Sequence, residues 1–284
     1  MTAHRFGFHI PIAGGLQNVP ERARRPRCDT IQTFTRNPRA WRSPSPTAEA
    51  IEAFRSGIAR LRIDPMVIHT IYPINLASAD KELREGSIEL VAEDIRRADL
   101  LGAAYVNTHV GHAVDQSRSG AMRNVVRSLK RLLRLTRGCR ARLLLENAAQ
   151  KGEFHGSRFE ELAALIDAVG QRDRMGVCLD SAHAYASGYP VHTEAGLDDT
   201  VAEIDRCVGL DLLFLVHLND SKREFGSHAD RHEHLGLGHI GRAGLGRIIN
   251  HGKLRDLPFI METPVDERRG DKGNLMVARR LARS

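Results

Sequence analysis

Eight short apolar runs punctuate the chain, separated by segments that mostly have a helical period. The runs are 5–10 (RFGFHI), 29–34 (DTIQTF), 65–70 (PMVIHT), 103–109 (AAYVNTH), 141–147 (ARLLLEN), 175–180 (MGVCLD), 212–219 (LLFLVHLN) and 257–263 (LPFIMET). Near-continuous apolar character, in place of strict alternation, is what parallel strands covered on both faces require. Between them, 47–61 repeats Ala, Glu, Phe and Ile at helical spacing, and 87–102 places Ile88, Val91, Ile95 and Leu100 on one face before Gly102. The stretch 123–138 predicts a helix ending on Gly138. The stretch 157–170 opens on Ser157 followed by Glu160, a capping signal. Glycines weaken the helical pattern of 240–250, and the poorly patterned 183–211 predicts a loop plus one helix.

Eight strands alternating with helices predict an α/β fold, a (β/α)₈ TIM barrel with its site at the C-terminal ends of the strands. A single domain spanning 1–284 is expected. The competing layout is an open doubly wound sheet, which gathers ligands near one crossover. No GxGxxG follows a predicted strand and no GxxxxGK[ST] is present, so the nucleotide-binding versions of that sheet have no support.

The strand ends carry the chemistry. His69, His109, Glu146, Asp180, His217 and Glu262 each close or lie near the end of an apolar run; His183 follows Asp180 by three residues, and Asp230 precedes His232 by two. A carboxylate at the end of a buried strand is costly unless it is paired or bound to metal. Any one of these side chains could be a structural ion-pair partner or a satisfied core histidine. Together they converge on one mouth of the barrel. Imidazole with carboxylate suits zinc, and also manganese or iron. Nine donors exceed what one zinc takes, so two or three ions fit better, with Glu146 as the bridge. Closely spaced ions activate water and stabilise a leaving alkoxide in phosphodiester cleavage. The sequence offers no serine or cysteine nucleophile in a motif context. The polar, Gly- and His-rich stretch 220–240 follows the seventh strand and is the expected active-site loop.

Composition changes the picture little. The formal net charge of +7 favours an anionic partner. Basic residues cluster at 21–27, 127–140 and 266–272; the second cluster reads mostly as a solvated helix face that need not touch a ligand. Cys28, Cys139, Cys178 and Cys207 form no CxxC pair, which fits a reducing cytoplasm, and Cys178 reads as a small buried residue. No apolar run is long enough for a membrane span, and the opening residues lack a secretory layout. A cytoplasmic protein, nucleoid-associated when bound to DNA, is expected.

At this point the chain resembles the endonuclease IV family of apurinic/apyrimidinic endonucleases. The resemblance rests on FHIPIAGGLQN (8–18), TFTRNPRAW (33–41), HTIYPINLAS (69–78), LLLENAAQKG (143–152), VCLDSAHAYASGY (177–189), HLNDSKREFGSHADRHEHLGLGHIG (217–241) and METP (261–264). It implies a trinuclear zinc site: His69, His109 and Glu146 on the first ion; the shared Glu146 with Asp180, His217 and Glu262 on the second; His183, Asp230 and His232 on the third. Manganese is an alternative occupant of one site. It also implies incision of duplex DNA 5′ to an abasic site by a hydroxide bridging two ions held through Glu146, leaving a 3′-hydroxyl and a 5′-deoxyribose phosphate. Tyr72 would enter the helix where a base is missing, and Asn37, Arg39 and Arg231 would contact the DNA. The departures from the family pattern are Thr70 for an acidic residue, Pro73 for an aliphatic one, ENAAQKG for ENTAGQG, Ser181 with Ala182, and HVGH for HPGS. None removes a ligand, but Thr70 is expected to leave His69 less firmly oriented. The alternative is a divalent-metal sugar isomerase or epimerase of the xylose-isomerase-like barrels, which needs Glu146, Asp180, His217 and Glu262 but not the other five residues. A non-catalytic module for damaged DNA would not need all nine. A monomer is expected, because a closed barrel leaves no free sheet edge.

Overall fold

Each apolar run forms a strand in the computed structural model, which describes residues 4–41, 43–149 and 156–282. In chain order the first half comprises β1 (Arg5–Ile10), α1 (Val19–Arg24), β2 (Thr30–Thr33), α2 (Ala48–Leu61), β3 (Met66–His69), α3 (Lys81–Leu101), β4 (Tyr105–Thr108), α4 (Arg118–Leu135) and β5 (Arg142–Glu146). The second half comprises α5 (Phe159–Val169), β6 (Met175–Asp180), α6 (Ser181–Ala186), α7 (Glu194–Cys207), β7 (Leu213–His217), β8 (Asp220–Ser221), β9 (His232–Glu233), α8 (Gly241–Asn250), β10 (Pro258–Met261) and α9 (Asp271–Leu281). Eight parallel strands close a barrel in the order β1, β10, β7, β6, β5, β4, β3, β2. The expected (β/α)₈ TIM barrel is thus the fold, and the open sheet is excluded. The antiparallel pair β8–β9 lies outside it, within the loop after β7.

The barrel separates two apolar cores. The larger lies between strands and helices. The smaller, Val67, Leu144, Cys178, Leu215 and Ile260, is fully buried. Each of its members stands two residues before a metal-type residue: His69, Glu146, Asp180, His217 and Glu262. Side chains two apart share one face of a strand. The apolar set is therefore a floor, and the polar set stands one layer above it, toward the C-terminal rim.

Several local expectations move. α3 begins at Lys81, six residues before the periodicity starts, because the Asp80 carboxylate accepts from the amides of Glu82 and Leu83. α4 likewise starts early, capped by Ser117 on Gly120, and ends at Leu135, short of Gly138. Ser157 does not cap α5; the helix starts one residue too late for it, with Arg158 in the cap position. The region 183–211 holds most of α6 and all of α7, not one helix. The QKG of the fifth-strand motif, 150–152, lies outside the described residues.

Candidate metal centre and nucleic-acid face

Glu146 is the hub. It ends β5 wholly buried, and its two oxygens serve opposite sides of the mouth. Oε2 lies 3.3 Å from His69 Nε2 and 3.7 Å from His109 Nε2, and it accepts from Asn107 Nδ2 at 2.5 Å. Oε1 lies 3.2 Å from both His217 Nδ1 and His183 Nδ1. Asp180 ends β6 and caps α6: its Oδ1 accepts from the His183 amide at 2.7 Å. That cap explains the three-residue spacing, since it turns His183 back over the carboxylate. The other oxygen of Asp180 accepts from Asn219 at 2.7 Å and faces His232 Nε2 at 3.5 Å. Asp230 and His232 arrive on the long loop after β7. One buried carboxylate, Asp220, organises that loop by accepting from the amides of Ser221, Gly236, Gly238, Ile240 and Gly241. A Cβ on Gly238 would sit 2.6 Å from Asp220 Oδ1, so the close wrap needs glycine there.

The imidazoles are oriented for coordination. His69 donates from Nδ1 to the Thr70 carbonyl at 2.7 Å, and His183 from Nδ1 to the Asn147 carbonyl at 3.0 Å. His232 donates from Nδ1 to the Glu262 carbonyl at 3.2 Å, and His217 from Nε2 to Gln32 Oε1 at 3.0 Å. Each ring so spends one nitrogen on orientation and turns the other toward carboxylates, as metal-bound histidines do. The expectation that Thr70 loosens His69 is not met, because the backbone carbonyl holds the ring. The Nε2 atoms of His183 and His232 are buried without a hydrogen-bond partner among the described residues, although Asp230 Oδ1 lies 3.2 and 3.5 Å from them. Burial disfavours charge throughout. Even so, Asp180, Asp230 and Glu146 hold His183 well above its ordinary range, while His109 and His217 hold the Glu146 carboxyl well below its own. The ligand atoms gather into sets within 4.8 Å of one another: His69, His109, Glu146; Glu146, Asp180, His217, Glu262; and Asp180, His183, His232. Cys178 also lies near Glu146 and His217, but burial pushes its thiol up to about 12, away from the thiolate a metal needs. Imidazole nitrogens without partners, beside carboxylates already ionised, are a donor set that fits zinc.

The chain matches the family model of xylose isomerase-like TIM barrels over residues 21–282. It is 40% identical over 276 residues to the probable endonuclease 4 of Methanoculleus marisnigri, covering 97% of this chain and 98% of that protein. The probable endonuclease 4 of Cenarchaeum symbiosum is 36% identical over 278 residues.

The chain belongs to the endonuclease IV family.

Its structure superposes on the crystal structure of endonuclease IV from Thermus thermophilus with a TM-score of 0.87 and 38% identity, covering 98% of each chain. A D-tagatose 3-epimerase-like protein also superposes, with a TM-score of 0.74 at 17% identity, a likeness of fold alone.

In this endonuclease IV family member, the nine residues expected at the metal centre all stand at one mouth of the barrel. The four residues expected to meet DNA are exposed on the same rim or its loops. Tyr72 is 73% exposed and meets Phe34 edge-on at 5.6 Å between ring centres. Asn37 lines a cavity of about 710 Å³ between the loops after β1 and β2, and its Oδ1 accepts from the Arg39 amide. Arg231 is exposed and folds back to its neighbour's carbonyl, Asp230, at 2.7 Å. Sequence reasoning gave no role to Gln32 and none to His9 beyond the opening motif. Gln32 Nε2 donates to Glu262 Oε1 at 2.7 Å, and His9 Nδ1 stands 3.3 Å from the same oxygen. His9 sits near the end of an apolar run like the other histidines, which was the available signal; Gln32 carries no charge and gave none. His234, in the loop after β7, is buried on Asp266 and Asn274 and belongs to the packing of the loop before α9. Among the described residues, no helix is long and apolar enough to cross a membrane.

Proposed function

We propose that this chain is a DNA repair endonuclease that hydrolyses the phosphodiester 5′ to an abasic site in duplex DNA, leaving a 3′-hydroxyl and a 5′-deoxyribose phosphate. The observation that carries the reading is the buried Glu146, one oxygen facing His69 and His109 and the other facing His217, in a chain that matches a relative over 97% of its length. Three zinc ions are the proposed occupants. His69, His109 and Glu146 would hold one; Glu146, Asp180, His217 and Glu262 a second; His183, Asp230 and His232 a third. Such ions supply Lewis acidity, which makes water nucleophilic near neutral pH and neutralises charge on a phosphate.

The chain's own residues do the rest. Asn107, Gln32 and Asn219 hold the carboxylates of Glu146, Glu262 and Asp180 in place by donating to them. Tyr72, exposed and packed edge-on against Phe34, would fill the gap in a stack that lacks a base; an abasic site has already lost part of the stacking that must be opened. Asn37, Arg39 and Arg231 are the proposed contacts to the surrounding duplex. An epimerase has no use for His183, Asp230 and His232 together, and this argues against the sugar-isomerase reading. We also propose that the chain acts as a monomer and as one domain, since the closed barrel has no unpaired edge to share.

The test is incision of a duplex carrying one tetrahydrofuran abasic analogue, with the metal content measured on the same preparation. That analogue resists β-elimination, so cleavage on its 5′ side reports hydrolysis. Zinc-loaded protein that leaves this duplex intact would sink the reading and bring sugar epimerisation forward.

A further inference from the structure

One run of positive charge on this chain lies away from the candidate centre. Residues 116–145 contain nine arginines and lysines and no aspartate or glutamate, more than the net charge of +7 carried by the whole chain. On α4, Arg123, Arg127, Lys130 and Arg134 recur at positions i, i+4, i+7 and i+11, and Arg137 follows just past the helix end. All five are exposed, and among the described residues none has a carboxylate or hydrogen-bond partner. Their neighbours differ. Arg131 takes Glu85 and Glu89 of α3, Arg118 pairs with Glu161 at 2.8 Å, and Arg140 faces Asp99 at 3.6 Å. The acids beside the row are therefore already engaged by other cations.

The row lies on the barrel's outer wall. α4 leaves the rim after β4 and returns the chain to the start of β5, so its length runs away from the mouth that holds Glu146. At the helical rise, the stretch from 123 to 137 spans about 21 Å. Duplex DNA carries one phosphate charge per about 1.7 Å of axis, so a duplex laid along the wall would face on the order of ten phosphates. The helix has no aromatic residue on which an unpaired base could stack. Its one exposed large apolar side chain among the described residues is Leu135, so it lacks the apolar centre of a typical protein interface. A bare line of cations with neither feature suits a phosphate backbone read without regard to sequence.

We propose that the outer wall along α4 is a second binding surface for duplex DNA, separate from the rim, which holds undamaged duplex through its phosphates. The choice of DNA among polyanions rests on the function proposed above. The wall would keep the protein on bulk DNA and raise the local concentration of sites offered to the rim.

The experiment uses the full-length protein and an undamaged duplex, with affinity measured by fluorescence anisotropy across a salt series. The variant is R123Q/R127Q/K130Q/R134Q/R137Q. A control variant, R55Q/R60Q/K253Q/K272Q/R280Q, removes the same charge from scattered sites. Each phosphate that the protein no longer neutralises takes about 0.9 off the slope of log affinity against log salt, so the row variant should lose up to about 4 and the control less than about 1. Single-turnover incision of an abasic duplex at saturating enzyme should stay within about twofold of the parent, because nothing at the rim has changed. Equal slopes in parent and row variant overturn the proposal and leave the row to an acidic protein. An equal loss in row variant and control also overturns it, as an effect of net charge alone. The slopes are read on undamaged DNA, so they stand whether or not the parent incises an abasic site.

Discussion

Inside the barrel, two rings of side chains lie one above the other on the same strands. Val67, Leu144, Cys178, Leu215 and Ile260 form the lower ring; His69, Glu146, Asp180, His217 and Glu262 form the upper, each two residues further along. Both are buried for the most part, yet the lower contains no ionisable group except a thiol held protonated, while the upper packs three carboxylates against imidazoles. A parallel barrel fixes this arrangement because the side-chain period of a strand is two residues: a slip of one would turn every carboxylate outward among the helices. The site thus takes its geometry from the register of the core. The floor gives a dry, close-packed base with no competing donors, so the orientation of the upper ring falls to a few amides and backbone carbonyls just outside it.

The sharpest way to separate the rings is Glu146→Gln. The substitution keeps shape but removes the charge that faces His69 and His109 on one side and His217 on the other. Losing several kcal/mol of transition-state stabilisation means at least a thousandfold slower incision, on the order of 4 kcal/mol. Bound metal should drop in parallel. The folded state should persist, and removing metal with a chelator should lower the melting temperature of the parent more than that of the variant, because a ligand stabilises only what binds it. A variant that kept both zinc and incision would remove Glu146 from the centre of the scheme.

Leu144→Ala strikes the floor directly beneath. Deleting a fully buried leucine from a packed core costs about 2–5 kcal/mol, the spread depending on how far neighbours collapse. Thermal denaturation should fall by several degrees. Incision by the folded fraction should stay within about tenfold of the parent, since no polar partner of the upper ring is touched. Full stability with abolished incision would show that the two rings are not separable in this way.

Gln32→Ala probes the boundary between ring and support. Its amide holds His217 at one end and Glu262 at the other, and His9 shares the same oxygen of Glu262. Losing such an outer partner typically weakens metal binding by about 10–100-fold. Competition with a metal-binding dye reads this directly, without relying on turnover. Unchanged affinity would reduce Gln32 to a space-filling role.

These comparisons also show why some of the molecule was legible in the sequence and some was not. Strands such as MGVCLD and PMVIH stood out because a strand buried on both faces is apolar until it reaches the rim, where Asp180 and His69 interrupt it. Six of the nine metal-type residues were readable for that reason; His183, Asp230 and His232 stood out only by their short spacing from Asp180 and from each other. Gln32 was not: an uncharged residue in DTIQTF breaks no rule, and its worth lies in partners 185 and 230 residues away. Helix starts were missed where a single cap outweighed periodicity, as Asp80 does for α3. The cations of α4 were visible as a run, but whether each was paired depended on acids of α3 and α5, which only the packing reveals.

The smallest expected effect tests how the upper ring is oriented. Where the family pattern has an acidic residue beside the first histidine, this chain has Thr70, which suggested a looser ring. Here, however, His69 Nδ1 donates to the Thr70 backbone carbonyl, while the Thr70 hydroxyl donates to Thr108 Oγ1 at 2.8 Å and does not touch the imidazole. Thr70→Val keeps the carbonyl and loses only the buried hydroxyl pair. It should cost about 1 kcal/mol or slightly more, since Thr108 Oγ1 loses that donor but keeps its own bond to the His109 carbonyl at 3.0 Å. Incision should change by less than about threefold, because the carbonyl that sets the His69 tautomer is still present. Should the valine variant instead lose zinc along with activity, the hydroxyl pair, not the backbone, would be what keeps that carbonyl aimed at His69. The tolerance of the site to a non-acidic residue at position 70 would then depend on Thr108.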